Sequence, residues 1–422
     1  MKTLKKKFIA IITLALTLCV MLCSVGCNKS DDSKTITNLQ NKIAELEQKQ
    51  TMLENKNTEL EEKQSLYDSV YESDYVSQCY AKIKYIDKNL SDRDCMAGEN
   101  FKATQQWIKN SLVNAGYNES DVQFQTITFN KYKTISSLDS FICDYTTDGK
   151  KYKKEGRNYV EAEDGTYTYV TVSTENIVLK KEGAEDKNGQ KSGKQIIVGA
   201  HYDGDGTGDN GSGIALLLTV AQKLVNAKTP HDIVFIFFTA EEYGCLGSTA
   251  YANAMTQQQI DNTLYMINMD SLICGDYCYL YGGVQDDATK TVSGTAAYDN
   301  AMKVAESLGL DFKSNPWTYD NPAPGYDSPD YASPSTGDWS DHKGFKNIGI
   351  DYLYFEATNW EIPGPYDEYD GYGETYLYGM LMNTSNDYLE FIETYFPGRA
   401  QDHLNKFFKL LNALLMQNYQ KV

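Results

Sequence analysis

The sequence predicts an α/β fold: an α/β/α sandwich around a mixed, mostly parallel central sheet, preceded by a coiled-coil stalk. Three observations carry that prediction. From residue 195 onward, short and almost wholly apolar runs alternate with helical segments, as a sheet buried on both faces requires. Acids or a histidine follow three of those runs directly: His201 after IIVGA, Glu241–Glu242 after IVFIFFTA, and Asp270 after YMINM. Ahead of this region, Ile36–Tyr67 carries leucines at a seven-residue spacing.

The elements follow in chain order. Met1–Lys7 is basic and Phe8–Leu22 apolar, too short and wrongly flanked for a permanent membrane span. The run ends at Ser24-Val25-Gly26-Cys27, where a small residue precedes cysteine. Residues 1–26 are therefore expected to be a signal peptide, with Cys27 the lipidated first residue of an exported protein. The expected location is the extracellular face of the cell membrane; an ordinary signal peptide and a secreted protein is the alternative. Residues 27–35 read as a linker. In 36–67, Leu39, Leu46, Leu53 and Leu60 recur every seventh residue and Glu, Lys, Gln and Asn fill the rest, a coiled-coil seam and a surface for self-association.

From Tyr71 to the end at Val422 the pattern is globular. Helices are expected over Val76–Lys88 and Phe101–Ala115, and strands over Val122–Phe129 and Tyr167–Leu179, with the polar 130–165 between them an excursion from the core. Then come a strand at Gln195–Gly199, a helix at Ser212–Leu224, strands at Asp232–Phe238 and Thr263–Asn268, a helix at Tyr298–Leu308 and a strand at Ile348–Tyr352. Amphipathic stretches at Asp387–Phe396 and Leu404–Leu415 read as helices against the sheet. In such sheets ligands bind at the carboxyl ends of the strands, where His201, Glu241–Glu242 and Asp270 fall.

Bulk properties bound the function. The chain has 422 residues, ordinary apolar content and a net charge of −19, which argues against a nucleic-acid partner. Six cysteines remain beyond Cys27: Cys79, Cys95, Cys143, Cys245, Cys274 and Cys278. That is too few for a disulfide scaffold in so long a chain, although Cys274 and Cys278 are close enough in sequence to pair.

The chemistry lies in one ordered series. The chain has four histidines, and His201 and His342 belong to it. Asp203 follows His201 by two residues, where a carboxylate can orient the imidazole. Asp209 sits in a glycine-rich turn before a helix, a place that suits a metal ligand or a helix cap. Glu241 and Glu242 are adjacent carboxylates beside a buried strand, a costly pair unless chemistry uses it. Asp270 repeats the strand-end acid, and His342 lies in SDHKGF. Imidazoles and carboxylates in such a series suit a two-metal hydrolase.

HYDGD, GDNGSG, FFTAEEYGCLGS, NMD, SDHKGF and NTSNDYLEF together resemble the dizinc aminopeptidases of metallopeptidase family twenty-eight, from roughly Thr174 to Phe391. The resemblance implies metal-assisted peptide hydrolysis, with a free N-terminal peptide as substrate. It implies that His201 and Asp270 hold one zinc, Asp209 bridges, and Glu242 helps hold the second. Glu241 is then the general base and acid, and Asp203 orients His201. One departure matters. Asn383 stands where the family has its last histidine ligand, so one tight and one weaker zinc are expected, with His342 either a replacement ligand or a substrate contact. Trp360, Tyr366, Tyr369 and Tyr372 are candidates to line the pocket. A glutaminyl-cyclase-like zinc acyltransferase and a non-catalytic binding protein on the same scaffold are the competing readings.

Overall fold

The computed structural model describes residues 75–420 apart from 97, 135–140, 144–151, 156–157, 162–166, 324–325, 363–372 and 378, together with five positions between 41 and 51. Those five are helical. The expected signal peptide, the linker and most of the heptad stretch lie outside the described residues.

Ser73–Val422 forms one compact unit. It opens with helices α1 (Tyr75–Asn89) and α2 (Phe101–Ala115). Gly116 closes α2 in the left-handed region, at φ 116°, which only glycine adopts freely. Strand β1 (Val122–Thr134) follows, then β2 (Phe141–Cys143), the hairpin of β3 (Tyr152–Glu155) and β4 (Asn158–Glu161), and β5 (Tyr167–Lys181). Strand β1 is longer than the expected Val122–Phe129. Its ladder with β5 runs on to Thr134 opposite Tyr167, so part of the polar excursion is sheet. Tyrosine and threonine in Tyr132-Lys133-Thr134 and Tyr167-Thr168-Tyr169 favour extended backbone despite the polar sequence.

The central strands are β6 (Gln195–His201), β7 (Asp232–Phe238), β8 (Thr263–Met269) and β12 (Tyr352–Thr358). The eight-stranded order is β2-β1-β5-β7-β6-β8-β12-β9, where β9 is Tyr277–Tyr281. Strands β7, β6, β8 and β12 run parallel, with antiparallel strands on both flanks. A small ribbon of β10 (Val284–Asp286) and β11 (Thr291–Ser293) stands apart.

Almost every residue of the central strands is buried, so both faces are covered. On one face Ile197, Ile236, Phe238 and Met266 pack with Ala252 of α4 (Leu246–Asn253) and Phe345 of α7 (His342–Asn347). The short α5 (Gln257–Asn262) leads into β8. Helices α3 (Gly211–Leu224), α6 (Ala296–Ser307), α8 (Leu389–Tyr395) and α9 (Arg399–Met416) complete the unit, and α9 packs against α1, α3 and α6.

One strand is misplaced by the sequence reading. Ile348–Tyr352 is not extended: Ile350 N–H bonds back to Phe345 O, and Gly349 sits at φ 81° to end α7. The strand starts at Tyr352, where that expectation stopped. Cys274 and Cys278 are both free thiols.

Candidate active site

The segments that follow β6, β7, β8 and β12 meet at the carboxyl edge of the parallel strands. His201 ends β6. Its Nε2 lies 3.1 Å from Asp209 Oδ1 and 3.1 Å from Asp270 Oδ1. One donor atom each from His201, Asp209 and Asp270 falls within 4.8 Å of the others, and the same holds for His201, Glu241 and Glu242. Five of the sequence-derived residues are thus brought together around one imidazole. Among the described residues no other group of this kind occurs.

Each donor is held by its own neighbours. Asp209 lies in a turn that Asp387 braces: Gly208 N–H donates to Asp387 Oδ1 at 2.6 Å and Asp209 N–H to Oδ2 at 2.9 Å. Gly206 and Gly208 let this carboxylate approach, because a Cβ at Gly206 would stand 2.1 Å from Asp387 Oδ2 and one at Gly208 2.8 Å from Oδ1. Asn210 caps α3, accepting from Gly213 N–H at 3.0 Å. Asp270 accepts from Ser340 Oγ at 2.6 Å, and Asn268 donates to that same oxygen of Ser340 at 2.7 Å. The fully buried Arg93 donates to the carbonyls of Tyr202 and Gly206 at 3.2 and 2.7 Å, fixing the loop after His201.

Asp203 stands on the Nδ1 side of His201, where an orienting carboxylate is expected, and it has a second role. Its Oδ1 lies 3.7 Å from His201 Nδ1, beyond hydrogen-bond reach. It also accepts from the backbone N–H groups of Glu241 and Glu242, at 3.2 and 3.4 Å. Asp203 therefore sets the turn that carries the acid pair. Ala240 precedes that turn at φ 54°, and Gly244 and Cys245 N–H both bond Glu241 O at 2.8 Å. Cys245 Sγ donates to Glu241 Oε1 at 3.4 Å.

The charges answer this crowding. Burial and the Asp270 carboxylate raise the pKa of Asp209. Burial raises Glu241 well above the usual carboxylate range against the pull of His201. Glu242 reaches solvent at the cleft, yet desolvation by the cleft walls and then Asp209 push it up to about 8. Burial disfavours charge on His201, but Asp270 and Glu241 outweigh it and hold the imidazole well above its ordinary value. Asp270 alone is held low, by His201 and Ser340 acting against burial. Mutually repelling carboxylates around an imidazole are a donor set that a divalent cation would relieve, and their types suit zinc.

The donors open into a cleft of about 550 Å³, lined also by Asp338, Trp339, Lys343, Tyr354, Glu356, Met380, Met382, Asn383 and Thr384. Asn383 thus comes to the site, in the left-handed conformation at φ 58°. His342 does not. Its ring stacks between Tyr352 and Tyr354, with Nε2 2.9 Å from Gly337 O, and burial pushes its pKa down to about 4. It is a neutral core residue, neither a ligand nor a cleft wall. Trp360 is also buried, donating to Tyr281 Oη at 2.8 Å in an aromatic cluster. Tyr366, Tyr369 and Tyr372 lie outside the described residues.

Comparison with known proteins agrees with this geometry. The family model described as Peptidase family M28 matches residues 176–377. The matched segment is just under half of the chain, and it holds His201, Asp209, Glu241, Glu242 and Asp270. The chain is 27% identical over 277 residues to the alkaline phosphatase isozyme conversion protein of Escherichia coli K12, covering 61% of this chain and 74% of that one. It is 35% identical over 104 residues to leucine aminopeptidase 2 of Trichophyton rubrum, a match spanning 24% of this chain and a fifth of that protein. Among solved structures, a zinc aminopeptidase from Bacillus subtilis aligns with TM-score 0.54 at 17% identity, over 82% of this chain and 97% of that one. An aminopeptidase from Aneurinibacillus sp. strain AM-1 aligns with TM-score 0.53 at 16% identity, over 82% and 96%. At these identities the structures establish the shared fold. That shared fold is the expected mixed α/β architecture with a mostly parallel central sheet.

Sequence reasoning missed Arg93, Ser340, Asn268, Glu356 and the bracing role of Asp387. Glu356 carried a signal, as the single charge within the buried run YLYFEAT.

Proposed function

We propose that this protein is an M28 zinc aminopeptidase that hydrolyses the first peptide bond of peptides with a free N-terminus. The observation that carries the reading is His201 Nε2 set 3.1 Å from both Asp209 and Asp270, with the Glu241–Glu242 turn at the same imidazole.

His201, Asp209 and Asp270 would hold one zinc, and Asp209, Glu242 and Asn383 the second. Bound zinc supplies positive charge that polarises a carbonyl and acidifies water. Glu241 takes the proton of the attacking water and returns it to the leaving amine. Its backbone turn, tied to Asp203, and the Cys245 thiol on Oε1 hold that carboxyl in place. An amide oxygen is a poorer zinc ligand than imidazole, so Asn383 makes the second site the weaker one.

The acids lining the cleft favour an ammonium beside the metals, where the first peptide bond lies. N-acetylation removes that charge. The expected outcome is a large loss of kcat/KM on acetylated peptides, with free peptides shortened one residue at a time. Equal cleavage of both forms, or early internal fragments, would mark an endopeptidase. No cleavage of any peptide would mark a binding protein.

The proposal extends to export. The basic and apolar start, followed by Gly26-Cys27, supports a lipidated anchor at Cys27 with 36–67 as a self-associating stalk. Cys27→Ser should release the protein to the medium or leave it unprocessed; normal processing with unchanged membrane fractionation would sink the anchor.

A further inference from the structure

We propose that Glu356 makes the cleft selective for peptides whose first side chain is a cation, lysine or arginine. The inference rests on the aminopeptidase reading above and names the substrate class of the same site.

Glu356 lies on β12 directly beside the metal-binding edge. Phe355, the residue before it, pairs with Met269 and accepts Asp270 N–H through its carbonyl at 3.1 Å. Glu356 is therefore level with Asp270 on the adjoining strand, about 5 Å away along the sheet. A side chain on the residue whose peptide bond sits at the metals falls within its reach.

The carboxylate is fixed for that purpose. Tyr281 Oη donates to Oε2 at 2.9 Å and Tyr354 Oη to Oε1 at 3.0 Å. The residue is only 1% exposed, yet it lines the cleft, so it forms part of the floor. Locked in this way, the charge needs little reorganisation to receive a cation.

The walls suit the rest of a basic side chain. Trp339, Tyr354, Met380 and Met382 line the cleft with Glu356. Apolar and polarisable walls suit the methylene stem of lysine or arginine, and aromatic faces attract its charged end. Charge balance points the same way. The cleft is lined by Asp209, Glu241, Glu242, Asp270, Asp338 and Glu356 against Lys343. Metals held at the His201 cluster would answer the first four, and Lys346 pairs with Asp338.

A second observation lies behind the floor. Glu374 is fully buried, and its Oε1 has no hydrogen-bond partner, while Oε2 accepts from Leu381 and Met382 N–H. Burial, then Asp387 and Glu356, raise its carboxyl to about 8. A carboxyl raised that far is largely protonated near neutral pH, so Glu374 backs the floor without adding a charge of its own.

The test uses the full-length, zinc-loaded enzyme and peptides that differ only in the first residue. Arginine is compared with citrulline, its uncharged isostere, and lysine with norleucine. In the unaltered enzyme kcat/KM should favour the charged member about 10–100-fold, the usual worth of a hydrogen bond to a charged group. Glu356→Gln should lower the arginine-to-citrulline ratio toward one. A ratio near one in the unaltered enzyme, with free peptides still cleaved in preference to acetylated ones, would overturn the proposal and leave the aminopeptidase reading standing. An equal fall on both peptides in Glu356→Gln would also overturn it. No cleavage of any free peptide would instead remove the aminopeptidase reading on which it depends.

Discussion

The two halves of the cluster are built to different standards. On the first side, His201, Asp209 and Asp270 are buried, and each carboxylate has its own support: two backbone N–H groups from the Asp209 turn anchored on Asp387, and the Ser340 hydroxyl on Asp270. On the second side, Glu242 reaches solvent and Asn383 stands on a left-handed residue of a connecting segment, with an amide in place of an imidazole. Asp209 is the residue the two sides share. Affinity for a metal depends on how rigidly the donors are presented as well as on their type. The comparison therefore predicts two unequal metal sites, and a catalytic acid whose role is separate from both.

That separation gives the largest expected effect. Glu241→Gln keeps the shape of the side chain and removes the base. Turnover should fall about 10²–10⁴-fold, the usual worth of general acid–base catalysis, while zinc content is retained. Loss of zinc in the purified variant would make Glu241 a ligand and erase the contrast.

A smaller effect probes the support of the first side. Asp387→Asn puts an amide against the N–H groups of Gly208 and Asp209. Zinc affinity at the tight site should drop about 10–100-fold, the range seen when a ligand's supporting group is lost. Unchanged affinity in a competition titration with a chelator, in a variant of unchanged thermal stability, would mean that the Asp209 turn holds itself.

The legible part of this molecule was what local pattern controls. Apolar runs of strand length marked β6, β7 and β8, and the residues just beyond them marked His201, Glu241, Glu242 and Asp270, because parallel strands deliver their ends to one edge. Asp209 was ambiguous in sequence, since a cap and a ligand look alike; the structure gives the cap to Asn210 and frees Asp209 for the cluster. What stayed hidden was tertiary. Arg93 and Asp387 act on a loop more than a hundred residues away, through backbone atoms that carry no sequence signal. Asp203 sits beside His201 and also braces the Glu241 turn, a second contact set by how β6 and β7 lie side by side. His342 shares a motif with the site, yet its ring is spent on stacking with Tyr352 and Tyr354. Glu356 was obscured by a strand read four residues too early, across the left-handed Gly349.

The smallest effect bears on the central claim most directly. Zinc titration of the metal-free protein should resolve one tight and one weaker site. Asn383→His, which restores an imidazole at the second side, should tighten the weaker site alone, by about tenfold or more within the usual spread for one ligand contact. Two equally tight zincs in the unaltered protein, left unchanged by Asn383→His, would contradict the account.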